Sequence, residues 1–368
     1  MNKLYAAPME GLTGYLWRQV HAALFGPADK YFTPFLSPNA TRTFQRKELD
    51  EIDPAHNAGL YVVPQLLTNR AEHFLWAAGE LYARGYREIN FNLGCPAGTV
   101  AAKRKGSGLL AYPQELDRCL EEIFAGLPRG MSVSVKTRIG KNDPAEWPGL
   151  LAIYRKYPLS ELIVHPRIQK EFYKGVPHRD AWAAVSGPWP AVYNGDIFTP
   201  EDAAVLCRDY PGTDAVMLGR GLMRDPALLR HLRGGPAASA QELRTYHDRL
   251  LEAYRQRLSG DQPVMHRMWS CGPTCPPDSP SRSRISSVCA RQRTSPNTGP
   301  PWTPCSGSSD IQHKRQHRKP GVSGAVFFTP SWGCYTSPSA SQTAASAGAS
   351  SGPGTAKTAA SPGRCPPG

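Results

Sequence analysis

The 368-residue chain has no apolar run that approaches the roughly 18 consecutive residues needed for a membrane-spanning helix. The apolar part of its N-terminus is also too short for a secretory signal peptide. Cysteine is scarce before residue 269, where only Cys95, Cys119 and Cys207 occur. Three widely spaced cysteines exclude a disulfide framework there and fit a reducing compartment. These absences predict a cytoplasmic protein with no membrane partner.

The C-terminal segment, residues 269–368, differs from the rest of the chain in composition. It contains no leucine and no glutamate, and Pro, Ser, Gly, Thr and Ala dominate. Because such a segment cannot bury enough apolar area to offset its chain entropy, we expect it to be disordered. It is either a natural disordered tail or the product of a break in reading frame near Met268, after which a GC-rich gene is translated out of frame.

Most of the basic character lies in the same segment. Ten Lys/Arg and two Asp/Glu give residues 269–368 a charge of +8, out of +13 for the whole chain. Residues 1–268 carry the remaining +5, which is compatible with an acidic partner. Cys271 and Cys275 form a C-x3-C pair without a second, well-spaced ligand pair, so no metal site is predicted.

Short apolar runs alternate with helical patterns along the first 236 residues. Eight such runs occur, at residues 3–8, 30–36, 61–67, 88–94, 132–138, 161–167, 191–196 and 214–220. This alternation predicts an α/β fold, a (β/α)8 TIM barrel over residues 1–236. The polar stretch 37–59 is predicted to cross the barrel mouth. Residues 237–268 carry a helical apolar stripe and are predicted to begin a C-terminal helical domain.

The most informative stretch is Glu88-Ile-Asn-Phe-Asn-Leu-Gly-Cys-Pro96. Period-two alternation places Asn90 and Asn92 on one strand face and the apolar side chains on the other. Buried amides cost free energy unless they are hydrogen-bonded. The strand ends at Gly94, the thiol of Cys95 follows, and a Gly-rich loop continues to Gly106-Ser-Gly108. Because α/β barrels place chemistry at the C-terminal ends of their strands, this stretch predicts an active site.

Polar residues recur where the other predicted strands end, and converging strand ends define a pocket. They are Glu10, Gln65, Asn92, Lys136, Arg138, His165, Arg167, Asn194, Asp196 and Arg220. The glycine-containing turns after the last two strands are typical of phosphate-binding sites in barrels.

These motifs resemble the tRNA-dihydrouridine synthases, flavin enzymes that reduce uridines in tRNA. The matching motifs, in family order, are Ala7-Pro-Met-Glu-Gly11, Pro64-Gln65, Asn92-Leu-Gly-Cys-Pro96 with Gly106-Ser-Gly108, Val135-Lys-Thr-Arg138, Val164-His-Pro-Arg167, Asn194-Gly-Asp196 and Gly219-Arg-Gly221. One departure is Pro166-Arg167-Ile168, where the family usually has Gly-Arg-Thr. The family's tRNA-gripping helical domain is cut off after Met268.

The resemblance implies FMN as cofactor, NADPH or NADH as electron donor, tRNA as substrate and a monomer. It makes Cys95 the catalytic proton donor, and a thiol of pKa about 8.5 is mostly protonated near pH 7. It implies cofactor contacts from Pro8, Met9, Glu10, Gln65, Lys136, His165, Asn194, Gly195, Asp196, Gly219 and Arg220. The implied substrate contacts are Asn92, Arg138 and Arg167.

Two other functions stay open on the residues alone. A different FMN barrel enzyme would reduce a free pyrimidine or an enone without RNA. A non-catalytic RNA-binding protein would use the barrel only as a scaffold and would need no flavin. The basic run Lys103-Arg104-Lys105 fits RNA phosphates and a plain solvated loop equally well.

Overall fold

A computed structural model describes residues 3–271, with side chains described to Met268. The segment predicted to be disordered begins at residue 269, but the helix Asp261–Cys271 extends into it. The rest of that segment, residues 272–368, lies outside the described residues, and so does the prediction that Cys271 and Cys275 form no metal site. The predicted TIM barrel is confirmed. Nine strand segments form one all-parallel sheet that closes on itself. Their bounds are β1 Lys3–Ala6, β2 Lys30–Phe32, β3 Val62–Val63, β4 Gln65–Leu66, β5 Glu88–Leu93, β6 Ser132–Gly140, β7 Leu162–Ile168, β8 Ala191–Tyr193 and β9 Ala215–Leu218.

The segments β3 and β4 form one barrel position, because only Pro64 separates them. Proline has no backbone N–H, so the ladder is interrupted there. β3 pairs with β2 and β4 pairs with β5, which closes the barrel. The eight predicted apolar runs therefore correspond to eight barrel positions.

Helices surround the barrel. Those among residues 3–271 are α1 Tyr15–Phe25, α2 Arg46–Ile52, α3 Ala71–Ala83, α4 Gly98–Ala101, α5 Pro113–Gly126, α6 Trp147–Tyr154, α7 Arg179–Ala183, α8 Pro200–Asp209, α9 Arg220–Arg224, α10 Leu228–Leu232, α11 Ala240–Arg257 and α12 Asp261–Cys271. Four 3-10 helices cover Pro54–Asn57, Gly106–Ala111, Pro144–Glu146 and Gln169–Glu171. In this part of the chain, no helix combines the length and apolar character required to span a bilayer.

The stretch 37–59 is a folded excursion rather than a plain loop, since it contains α2 and a 3-10 helix. Its anchor is Arg18 of α1, whose side chain is 0% exposed. The Arg18 guanidinium donates to the Glu51 carboxylate and to the Asn57 amide oxygen, each at 2.9 Å. A buried cation with these partners fixes the excursion against the barrel wall.

The N-terminal end of the barrel is closed by a charged cluster. Lys30 lies 2.9 Å from carboxylate oxygens of both Glu88 and Glu161. The Tyr5 hydroxyl donates to Glu161 at 2.5 Å, and the Tyr61 hydroxyl donates to Glu88 at 2.9 Å. In TIM barrels this face supports stability, whereas chemistry occupies the opposite face.

Helix α11 begins with a cap at Ser239, whose hydroxyl accepts from the Glu242 N–H. Glu242 also pairs with Arg230 of α10 at 2.7 Å. The rings of Tyr246 and Phe25 lie 5.4 Å apart, so α11 packs against α1 of the barrel. The helical stripe predicted after residue 236 is therefore used for packing on the barrel.

Candidate active site

Strand β5 has the predicted two-faced pattern. All six of its residues are buried. Asn90 and Asn92 contact polar groups of neighbouring strands, whereas the Phe91 ring packs on Phe74 of α3 with centroids 5.3 Å apart. The predicted alternation is confirmed, and it places the side-chain amides of Asn90 and Asn92 inside the barrel.

The two asparagines belong to a chain of hydrogen-bonded amides. Asn92 Nδ2 donates to Gln65 Oε1 at 2.8 Å, and Gln65 Nε2 donates to Asn90 Oδ1 at 2.7 Å. Asn90 Nδ2 then donates to the Ser134 hydroxyl at 2.9 Å. At the other end, Asn92 Oδ1 accepts from the backbone N–H of Cys95 at 2.9 Å. This chain offsets the cost of burying the amides and joins Gln65 to the Cys95 loop.

The Gly106-Ser-Gly108 motif clamps the Cys95 loop from the other side. The Ser107 hydroxyl donates to the Cys95 carbonyl at 2.7 Å. Gly106 has a φ of +56°, and a Cβ there would lie 3.0 Å from the Cys95 carbonyl oxygen. A Cβ on Gly108 would lie 2.5 Å from the carbonyl oxygen of Ala101. Both glycines are required because the two loops approach backbone to backbone.

The environment of Cys95 favours the protonated thiol. Burial raises its pKa, which outweighs the opposing effects of the Ala97 backbone N–H and the Arg138 guanidinium. A thiol with a raised pKa carries its proton at neutral pH, as a general acid must.

Lys136 lies on β6 directly beside Asn92 in the strand register. Among residues 3–271, no carboxylate forms an ion pair with its ammonium group. Burial, together with the nearby Arg138, lowers the pKa of Lys136 to about 7. Lys136 is half-buried, and a partly desolvated cation without an anion is costly, so this position suits a ligand that carries negative charge.

We expect Lys136 to make the ligand-free protein more stable as pH rises. Its folded pKa lies below its unfolded value, so the unfolded chain binds more protons above pH 7 and the free energy of unfolding increases with pH. Between pH 7 and 8.5 the increase should reach up to about 1 kcal/mol per pH unit. Urea unfolding at several pH values should show this slope, and Lys136→Met should flatten it. An equal slope in both proteins would contradict the assignment.

Arg138 joins the ends of two strands. Its Nε donates to the Gly94 carbonyl and its guanidinium nitrogen donates to the Ile168 carbonyl, each at 2.9 Å. The β6 and β7 register shifts between Arg138 and Gly140. Pro166, the departure from the family motif, lies in this irregularity, a position where a strand tolerates a residue without an N–H.

His165 is held as a neutral imidazole. Its Nδ1 lies 2.5 Å from the Asn194 carbonyl oxygen, which only accepts, so Nδ1 carries the proton. Burial lowers its pKa well below the usual value, and the cations Arg138 and Lys136 add to the effect. Its Nε2 is therefore an acceptor, 3.4 Å from a guanidinium nitrogen of Arg167.

Arg167 is 0% exposed and pairs with Asp196. The closest contact of the pair is 2.5 Å. The Arg167 guanidinium also donates to the carbonyl oxygens of Lys174 and Gly175. Arg220 pairs with the same Asp196 carboxylate. Arg167, a predicted substrate contact, and Asp196 and Arg220, predicted cofactor contacts, thus form one ion-pair cluster. This cluster connects the loop after β7 to the end of β8 and to α9.

The remaining predicted cofactor residues line the ends of β1, β8 and β9. Pro8 and Met9 are half-buried, and exposed Glu10 lies 3.6 Å from Lys47 of α2. A Cβ on Gly219 would lie 3.5 Å from Ala7 and 3.7 Å from the Met9 sulfur. Gly219 therefore keeps open a space that a side chain would fill. Gly195 turns tightly over Tyr193, where a Cβ would collide with the ring.

The sequence reasoning missed Tyr173. Its ring lies 6.0 Å from the His165 ring and 5.4 and 5.1 Å from the guanidinium carbons of Arg138 and Arg220. It belongs to an irregular loop, so no periodic pattern could have identified it. In the basic run after Cys95, Arg104 pairs with Glu115 at 2.8 Å. No group of His, Cys, Asp or Glu within residues 3–271 could hold a metal ion.

Comparison with known families agrees with this geometry. The family model described as Dihydrouridine synthase (Dus) matches residues 5–298. The chain belongs to the dihydrouridine synthase family. The matched range continues past Met268, where the composition changes.

Individual relatives are named as tRNA-dihydrouridine synthases. The tRNA-dihydrouridine(16) synthase of Ralstonia nicotianae is 32% identical over 246 residues, 64% of this chain and 73% of the relative. That of Cupriavidus necator is 31% identical, over 64% and 74% of the two chains. A probable tRNA-dihydrouridine synthase of Staphylococcus aureus is 30% identical, over 60% and 68%. Among solved structures, morphinone reductase aligns with a TM-score of 0.45 at 12% identity, over 65% of this chain and 87% of its own.

Proposed function

We propose that this member of the dihydrouridine synthase family reduces uridine in tRNA to 5,6-dihydrouridine. The observation that carries the proposal is the Cys95 loop, which is fixed at the end of β5 next to the strand that holds Lys136; burial raises the pKa of its thiol. The family match and the names of the relatives support the same activity.

The residues at the strand ends fit a bound FMN. The Lys136 ammonium, which has no anionic partner among residues 3–271, suits the N1/O2 side of a reduced flavin. Gln65 would contact the pyrimidine edge with the hydrogen-bonding capacity that its bonds to Asn92 and Asn90 leave free. The space beside Gly219 is lined by Met9. The ribityl chain and phosphate would be held by Asn194, Gly195, Asp196, Gly219 and Arg220. Bound FMN would supply a hydride from N5 to C6 of the uracil, after reduction by NADPH or NADH.

The protein's own chemical step is proton delivery. Hydride addition at C6 leaves negative charge across C5 and O4, and C5 must then gain a proton. We propose that Cys95 Sγ–H gives this proton, since burial keeps the thiol protonated. Asn92, Arg138 and Arg167 remain candidate substrate contacts, although their hydrogen bonds to the protein leave fewer groups free for a ligand.

A cleft of about 460 Å³ lies beside the barrel mouth, between the loop after β1, the excursion and the helices α11 and α12. Its basic side chains are Arg46, Lys47, Arg257 and Arg267, and its acidic side chains are Glu10, Glu48, Asp50 and Glu51. Lys47 pairs with Glu10 and Arg257 pairs with Asp50, so the cleft lacks the net positive charge that binds a phosphate backbone.

Lys136→Ala should weaken FMN binding about tenfold or more, because the anionic part of the cofactor loses its cation. Fluorescence titration of the apoprotein with FMN measures the effect. Lys156→Ala is the matched control, since Lys156 is exposed and pairs with Asp117 away from the site. Equal FMN affinity in the two variants would remove Lys136 from the cofactor site. A wild-type protein that takes up no FMN would refute the cofactor.

A further inference from the structure

The amide chain between Cys95 and Ser134 has a direction that the backbone fixes. The N–H groups of Gly94 and Cys95 lie 3.0 and 2.9 Å from one atom of the Asn92 carboxamide. A backbone N–H can only donate, so that atom must be the oxygen Oδ1. The nitrogen Nδ2 of Asn92 therefore points toward Gln65.

The orientation of Asn92 then determines which atoms donate and accept at each following residue of the chain. Asn92 Nδ2 can only donate, so the Gln65 atom 2.8 Å away is Oε1. Gln65 Nε2 must then donate to Asn90 Oδ1, and Asn90 Nδ2 must donate to Ser134. Gln65 is only 1% exposed, so water does not offer it an alternative partner. The orientation of the Gln65 amide is thus set by the backbone of the Cys95 loop.

We infer that Asn92 is a positioning residue that sets the hydrogen-bond polarity of Gln65 and so couples the proton-donor loop to the cofactor edge. The inference rests on the proposed function for the identity of that cofactor. The pyrimidine edge of a flavin presents O2, N3–H and O4, in the order acceptor, donor, acceptor. An amide held at a fixed position opposite N3–H and one of the two carbonyls complements this edge in a single orientation, and a flip at that position places oxygen against oxygen.

Two aspartate substitutions distinguish the effect of the Gln65 orientation from the effect of an added negative charge. In Asn92→Asp, the carboxylate still accepts from both backbone N–H groups but cannot donate to Gln65. Gln65 and Asn90 must then flip, with the Ser134 hydroxyl donating at the far end. In Asn90→Asp, the carboxylate accepts from both Gln65 and Ser134, so Gln65 keeps its orientation. Both variants are made in the Lys136→Met background, because Lys136 lies beside position 92 in the strand register and would otherwise pair with a carboxylate there.

FMN dissociation constants of the two variants should be compared at pH 8.5, where both new carboxyl groups are ionised. Asn92→Asp should bind FMN at least tenfold more weakly than Asn90→Asp. A ratio near one, in folded proteins, would overturn the inference. Wild-type protein that fails to bind FMN would instead refute the proposed cofactor.

Neutron diffraction from the perdeuterated wild-type protein tests the polarity without any variant or cofactor. Deuterium should be found on the Gln65 atom that faces Asn90 and on the Asn92 atom that faces Gln65. The opposite assignment at Gln65 would overturn the inference, whatever the FMN titrations show.

Discussion

Cys95→Ala protein should bind FMN and accept electrons from NADPH or NADH, yet form dihydrouridine about 10²–10⁴-fold more slowly than wild type. The thiol donates no hydrogen bond that holds the fold, because the loop is fixed through the backbone groups of Cys95. The loss should therefore fall on the protonation of C5. Stopped-flow reduction of the bound flavin and mass spectrometry of digested tRNA measure the two steps separately.

The matched control is Cys207→Ala, since Cys207 lies in α8 and is also half-buried. It should leave both steps near the wild-type rates. Wild-type rates of dihydrouridine formation by Cys95→Ala would show that another group supplies the proton.

Asp196→Ala should lower the free energy of unfolding by about 3 kcal/mol, because it leaves a buried cation without its partner. Arg167 is 0% exposed, and within residues 3–271 Asp196 is the one carboxylate that pairs with it. The loop after β7 should open with it, since Arg167 also holds the carbonyls of Lys174 and Gly175. Urea unfolding gives the energy, and hydrogen exchange in the loop gives its location.

Glu80→Ala is the comparison for an exposed pair. Glu80 of α3 contacts Arg84, the residue directly after that helix, and such an i,i+4 pair contributes roughly 0.3–0.5 kcal/mol. If Asp196→Ala costs no more than Glu80→Ala, the cluster around Arg167 does not stabilise the fold. FMN affinity, measured where both variants are folded, tests the proposed cofactor contact of Asp196 independently.

The barrel and the centre of the site could be predicted from local patterns. Alternation in β5 fixed which side chains enter the barrel, and Gly94 marked the strand end that carries Cys95. Such inferences succeed because strand periodicity and turn chemistry are properties of a few adjacent residues. Boundaries were less accurate: β8 ends at Tyr193 rather than at residue 196, since Asn194 already bonds across to β9.

Partnerships between distant residues could not be predicted. Nothing in the sequence indicates that Arg167 and Asp196 pair with each other, because the contact depends on the closure of β7 and β8 side by side. The same holds for Asn92, whose amide bonds to Gln65 across 27 positions of sequence. The internal order of the excursion at 37–59 could not be predicted either, because it depends on one buried arginine of α1.

The most direct test of the account is the dihydrouridine content of unmodified tRNA after incubation with the FMN-loaded protein and NADPH. Mass spectrometry of nuclease fragments gives both the amount and the position. The account predicts a mass gain of about two daltons at a single uridine with wild-type protein. It predicts almost none with Cys95→Ala over the same time. Wild-type protein that binds FMN, is reduced by NADPH and leaves every uridine unchanged would contradict it.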